Sequence, residues 1–192
     1  MPINIVKQVN WLDIFVLIIL IRICYVSVKS GFPVELFKLS GLILAVFLSL
    51  HYYTRLSALV SVSLGLKNVS LVFLNLLSFV FLASIALLIV SLLRKLFFKL
   101  VKMEAVSNLN KWGGLVIGIV RAFLFASLVI FVFVISGISY LQGSVASSYS
   151  GKGIFRLAPQ AYGWMFNGVV SKFCALERFN QTVLVEKKGL NK

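Results

Sequence analysis

No charged residue interrupts Val69–Leu93. Its twenty-five residues, at about 1.5 Å of rise each in a helix, exceed the roughly 30 Å of hydrocarbon in a bilayer. Lys67 and Asn68 precede the run, Arg94 and Lys95 follow it, and Asn75 and serines are the only polar residues inside. A chain of 192 residues cannot build a soluble core that buries such a helix on every side. The segment therefore predicts a membrane span. The rest of the chain agrees, since 12% of it is charged against roughly 25% in soluble domains, and its mean hydropathy is +1.03.

Three further apolar runs complete an all-α membrane protein with four transmembrane helices, at about 11–28, 34–53, 69–93 and 113–138. Open sheets would leave backbone groups unpaired in lipid, so the spans are expected to be helical. Trp11 stands at an interfacial depth. Lys29-Ser30-Gly31-Phe32-Pro33 makes the turn of a helical hairpin. Pro33 suits a helix start, and Glu35 in the first turn complements the helix dipole. His51, Tyr52 and Tyr53 mark the opposite interface. No A-x-A-like cleavage site follows the first apolar run, which argues against a signal peptide.

These spans form one membrane domain over residues 1–140, and 141–192 reads as a tail. Gly143–Gly153, with four serines, is expected to be a flexible linker. Tyr162, Phe166, Val169, Phe173 and Leu176 then recur at helical spacing, which predicts a C-terminal amphipathic helix over Gln160–Phe179. Glu186–Lys192 is expected to fray.

The formal net charge of +14 could suggest nucleic acid. The basic residues lie between apolar runs, however, and suit anionic lipid head groups. Arg94, Lys95, Lys99 and Lys102, with Leu96, Phe97, Leu100 and Met103 opposite, predict either the basic side of a surface-lying extension of the third span or a solvated loop whose charges only set topology. Counting Lys29 and Lys111 with these four gives six basic residues on one side. Lys7, Arg55, Lys67, Lys152 and Arg156 give five on the other. The positive-inside rule then favours a cytoplasmic 3–4 loop with both termini outside.

Two arginines fall within spans, Arg22 and Arg121, each costing roughly 2.5–3.5 kcal/mol at a helix centre. The acids available to them are Asp13 and Glu35. Asp13 and Arg22 are nine residues apart and point to opposite faces of one helix, so any pairing must cross between helices. A bundle-fixing salt bridge or a snorkelling side chain is favoured over an ion or proton relay, which would need more acids at depth. Small residues form two ridges at four-residue spacing: Gly114, Gly118, Ala122 and Ala126 on the fourth span, and Gly41, Ala45 and Ser49 on the second. Such ridges allow close backbone approach, so the second and fourth helices are expected to pack together or to make a homodimer.

The first hairpin, with Trp11, Asp13, Gly31-Phe32, Glu35-Leu36, Leu39 and Gly41, resembles the N-terminal pattern of the CvpA (colicin V production protein) family. Asn110-Lys111, Gly114, Gly118 and Arg121 resemble its second block, Asp-Arg-x-x-Gly-x-x-x-Gly-x-x-Arg-Gly. Here Asn110 replaces the acid and Ala122 the last glycine. The resemblance covers about residues 10–140. It implies a multi-pass protein of the bacterial inner membrane, tied to production or export of a peptide toxin and to envelope homeostasis, with no established reaction.

The residues add no enzyme signature. Cys24 and Cys174 make no redox or metal motif, His51 stands alone, and the 143–153 serines lack an activating acid or histidine. The expectation is a non-enzymatic protein without cofactor or metal, acting through helix contacts with itself or a membrane partner. A small oligomeric transporter using Arg22, Arg121, Glu35 and Asp13 is the alternative.

Overall fold

The computed structural model describes residues 10–65, 69–100, 107–173 and 177–189. Four long helices dominate: α1 Trp11–Ser30, α2 Phe32–Ser63, α3 Leu71–Leu100 and α4 Ser107–Ile135. All four are long and apolar enough to cross a membrane. This is the architecture of a membrane protein. Shorter helices follow: α5 Ser139–Ser147, α6 Tyr149–Phe155 and α7 Leu157–Met165, then a π-turn at Phe166–Val170, α8 Ser171–Phe173 and α9 Gln181–Gly189.

The α1–α2 hairpin turns on one residue. Gly31 has φ +80° and serves both as the C-cap of α1 and as the N-cap of α2, a backbone shape that other L-residues rarely adopt. Pro33 sits in the first turn of α2 as expected. With 32 residues, α2 is far longer than the predicted 34–53. At about 48 Å it extends past the hydrocarbon, and its last turns form a platform for the tail. α3 likewise runs unbroken through Arg94, Lys95 and Lys99, so the basic segment prolongs the span. Lys102 and Met103, also assigned to that surface, lie outside the described residues, as does Cys174.

Packing is uneven. α1 buries only Leu12, Val16 and Ser27 and turns Leu17, Ile18, Ile21 and Tyr25 outward, each more than half exposed. Such a surface is unfavourable in water and ordinary against lipid tails. The tightest core lies towards the His51 end of α2. Phe79 of α3 stacks on Phe131 of α4 at 5.3 Å, and Phe131 stacks on Phe155 of α6 at 5.7 Å. Tyr53 of α2 meets both Phe79 and Phe131 edge-on.

Phe155 lies two residues beyond the segment expected to be a flexible linker. That expectation is corrected: 143–153 is helical within α5 and α6, because its serines are engaged. Asp13 of α1 accepts from Ser148 Oγ at 2.6 Å and from the Ser150 N–H at 2.9 Å. Trp11 Nε1 donates to Ser144 Oγ, and Ser148 Oγ caps α6 by accepting from the Gly151 N–H. Buried Ser127 of α4 accepts from the Ala158 N–H at 2.7 Å and donates to the Phe155 carbonyl at 3.0 Å, stitching the α6–α7 junction to the bundle.

The amphipathic helix begins as predicted, with Tyr162 and Phe166 buried. The π-turn then places more residues in a turn and rotates the stripe, leaving Val169 and Phe173 at 52% and 83% exposure. Leu176 lies outside the described residues.

α2 and α4 pack together as expected, but the glycines of their two ridges meet other helices. A Cβ on Gly41 would press on Val90 of α3 at 2.9 Å. A Cβ on Gly114 would lie 2.9 Å from the Ser27 carbonyl oxygen and 3.0 Å from Gly31 C, and one on Gly118 would overlap the Ser27 side chain. The α2 ridge thus seats α3, and the α4 ridge seats the C-terminal end of α1. Ala45, Ser49, Ala122 and Ala126 are fully buried behind them. Gly114→Ala places a methyl against backbone that cannot move aside and is expected to cost about 1–3 kcal/mol. Gly143→Ala meets nothing within 4 Å inside α5 and is expected to gain up to about 1 kcal/mol. Thermal unfolding of both variants in detergent checks the ranking.

Candidate functional site: a buried carboxylate between three helices

The closing of the hairpin at Gly31 brings the last turn of α1 beside the first turns of α2, and the glycines of α4 admit α1 closely enough to add a third helix. Glu35 stands at this junction with no exposed surface. Its Oε1 receives Lys38 Nζ at 2.6 Å, one turn on along α2. Its Oε2 lies 2.8 Å from Arg121 Nε of α4 and 3.0 Å from Ser27 Oγ of α1. The Nε approach is a charge contact outside hydrogen-bonding alignment, while Arg121 Nη2 donates to Ser27 Oγ at 3.3 Å. Lys38 Nζ also donates to Ser30 Oγ at 2.8 Å. A buried carboxylate is tolerable only when paired and hydrogen-bonded, and here each oxygen has its own cation.

Asn110 closes the same corner. Its Oδ1 accepts from the Phe32 N–H at 2.7 Å, satisfying one of the orphan donors at the start of α2. The position needs an acceptor and no charge, so an amide serves where the family pattern has an acid.

Of the charged residues read from the sequence, only Glu35 and Arg121 meet. Asp13 is not an interhelical ion-pair partner. It accepts from the Asn10 N–H at the start of its own helix and from the two serines of the tail. Arg22 is exposed on α1, beside Arg121 in a groove between α1 and α4, and makes no ion pair among the described residues. A long stem of this kind can carry a guanidinium towards the interface. Lys95 and Lys99 are exposed on α3, whereas Arg94 is half-buried. Lys38 and Ser27 were missed, and Asn110 stood out only as the amide in place of the family's acid. Lys38 was detectable as the (i, i+3) partner of Glu35, whereas Ser27 carries no signal beyond its place before the turn.

A second polar cluster lies at the other end of α2. His51 was read as an interfacial anchor and is instead 1% exposed. Its Nδ1 lies 2.8 Å from Tyr162 Oη and its Nε2 3.1 Å from Glu177 Oε2. Arg55 Nη1 donates to the same carboxylate oxygen at 2.7 Å, and Asn180 Nδ2 donates to the Leu50 carbonyl at 2.8 Å. Hydrogen bonds from His51 and then Arg55 hold Glu177 below the ordinary glutamate pKa, while burial pushes Tyr162 up. This cluster docks the tail. Among the described residues no group of His, Cys, Asp and Glu is arranged to hold a metal.

A family model described as Colicin V production protein matches residues 12–159, from the start of α1 into α7. No curated protein and no solved structure matches the chain.

Glu35→Gln leaves Arg121 without its counter-charge and is expected to destabilise the bundle by about 3–5 kcal/mol. Combining it with Arg121→Gln should recover part of that loss, as read in a double-mutant cycle of detergent unfolding. For Glu177, a lowered folded-state pKa contributes stability that is complete above the unfolded value of about 4.3. That contribution disappears as pH falls through the lowered folded value. Protection of 177–189 from proteolysis should therefore weaken in that acid window, and Glu177→Gln should remove this part of the pH dependence.

Proposed function

The chain belongs to the colicin V production protein family, and from that premise we propose that it is a multi-pass scaffold of the bacterial inner membrane. It supports production or export of a peptide toxin, and maintenance of the envelope, through helix contacts with itself or with a membrane partner. It catalyses no reaction of its own and uses no cofactor. The observation that carries this reading is that both acids within the spans have structural work. Glu35 ties α1, α2 and α4 together, and Asp13 ties the tail to α1. A proton or ion relay needs a carboxylate free to exchange its partner, and neither is.

The α4 glycines are occupied within the chain, so the surfaces left for partners are the outward apolar faces of α1, α3 and α4. The basic end at Arg94, Lys95 and Lys99 faces the cytoplasmic leaflet in this reading, where anionic head groups attract it. The tail and both termini then lie on the other side, and nucleic acid is no partner.

A small transporter is the second reading, and one observation favours it. Arg121 lines two cavities, one of about 410 Å³ shared with Arg22 and one of about 270 Å³ shared with Lys38 and Arg94. The two readings separate in one pair of measurements. In cells that make colicin V but lack this chain, wild type is expected to restore toxin release. In liposomes under an imposed ion gradient, the purified wild type is expected to pass no ions. Flux that is lost in Arg121→Gln and kept in Arg121→Lys, with both variants inserted, would overturn the scaffold reading in favour of transport.

A further inference from the structure

The cavity of about 270 Å³ between α2, α3 and α4 has a polarity gradient. α2 and α4 run inward from the Gly31 end while α3 runs outward towards it, so position along each helix gives depth. At the shallow level stand Lys38 of α2, Arg94 of α3 and Arg121 of α4. One turn or two deeper, the walls are Leu42, Val90, Leu87 and Phe125. The mouth is cationic and the floor apolar.

The charges at the mouth do not cancel. Among the described residues Glu35 is the one carboxylate in contact with them, and it is shared between Lys38 and Arg121. Arg94 is half-buried and has neither an ion pair nor a hydrogen bond among the described residues. Two positive charges are thus left without an acid, one of them a guanidinium suited to bidentate contact with phosphate. In a bilayer, the molecule that presents an anion at interfacial depth and hydrocarbon beneath it is an anionic phospholipid.

We propose that this cavity is a binding site for one anionic phospholipid. Its phosphate sits between Arg94 and Lys38 with Arg121 behind, and the upper part of an acyl chain lies against Leu87, Val90 and Phe125. Phe37 at the rim packs on Phe97 and Phe98 of α3 at 4.9 and 5.6 Å, which fixes the width of the mouth. The site needs no toxin or protein partner, so its test is independent of the scaffold reading.

The experiment is native mass spectrometry of the full chain released from nanodiscs of equal phosphatidylglycerol and phosphatidylcholine. Wild type is expected to retain phosphatidylglycerol in preference by about tenfold, and Arg94→Gln to lose most of that preference, since one charge-assisted phosphate contact is a factor of about ten in affinity. Arg94 holds no partner among the described residues, so this variant is expected to spare the bundle. Lys95→Gln removes an equal charge from the same helix outside the cavity and is expected to keep the preference. Leu87→Trp, which fills the apolar floor, is expected to lose it. Equal retention of the two lipids by wild type would overturn the proposal. So would equal losses in Arg94→Gln and Lys95→Gln, which would mean diffuse surface attraction. Displacement of the lipid by millimolar inorganic phosphate would overturn it as well, by assigning the cations to a soluble anion.

Discussion

The ion cluster at Glu35 governs the architecture. A carboxylate with no exposed surface, surrounded by helices and then by lipid, has no water to fall back on, and an unpaired one would cost several kcal/mol. It must be met by cations from neighbouring elements, and those cations reach it in one arrangement of α1, α2 and α4. Lys38 comes from its own helix at no topological cost. Arg121 comes only if α4 lies against α1, with Ser27 between them.

That requirement explains where the glycines are. Gly114 and Gly118 have no room for a methyl against Ser27 and Gly31. The lipid supplies no hydrophobic drive for helix association, so the α1–α4 contact depends on van der Waals fit and polar contacts. The glycines supply the fit and the Arg121–Glu35 pair the polar contact, each useless without the other. Asn110 then anchors the N-terminus of α2 to the same helix. The corner is overdetermined, while the outward face of α1 is left almost entirely to lipid.

The sequence made the spans legible because apolar length is decisive in a bilayer, and it made the Arg121–Glu35 pair legible because buried acids were few. It misdirected the reading wherever tertiary contacts overrule composition. Gly143–Gly153 looks like a linker by residue type. Ser148 Oγ and the Ser150 N–H donate to Asp13 of α1, Ser144 Oγ accepts from Trp11 of the same helix, and Phe155 just beyond enters the aromatic core. His51 beside two tyrosines looks like a lipid-interface anchor. Only a tail folded back over α2 turns it into a buried hinge between Tyr162 and Glu177. Ridge spacing identified the small residues correctly without saying which helix they would admit, because four-residue periodicity describes one helix face and not its partner.

The two ends of the molecule consequently differ in kind. At the His51 end, aromatic stacking through Tyr53, Phe79, Phe131 and Phe155 and the docked tail close the bundle. At the Gly31 end, closure depends on charge, and charge closes a bundle less completely than rings do. A lysine and two arginines cannot pack face to face, since like charges hold one another apart unless an anion intervenes. Glu35 neutralises one of the three, and the space the others keep open is the cavity beside Arg94. A bundle that secures one buried acid with an excess of cations thereby leaves a cationic opening towards the lipid.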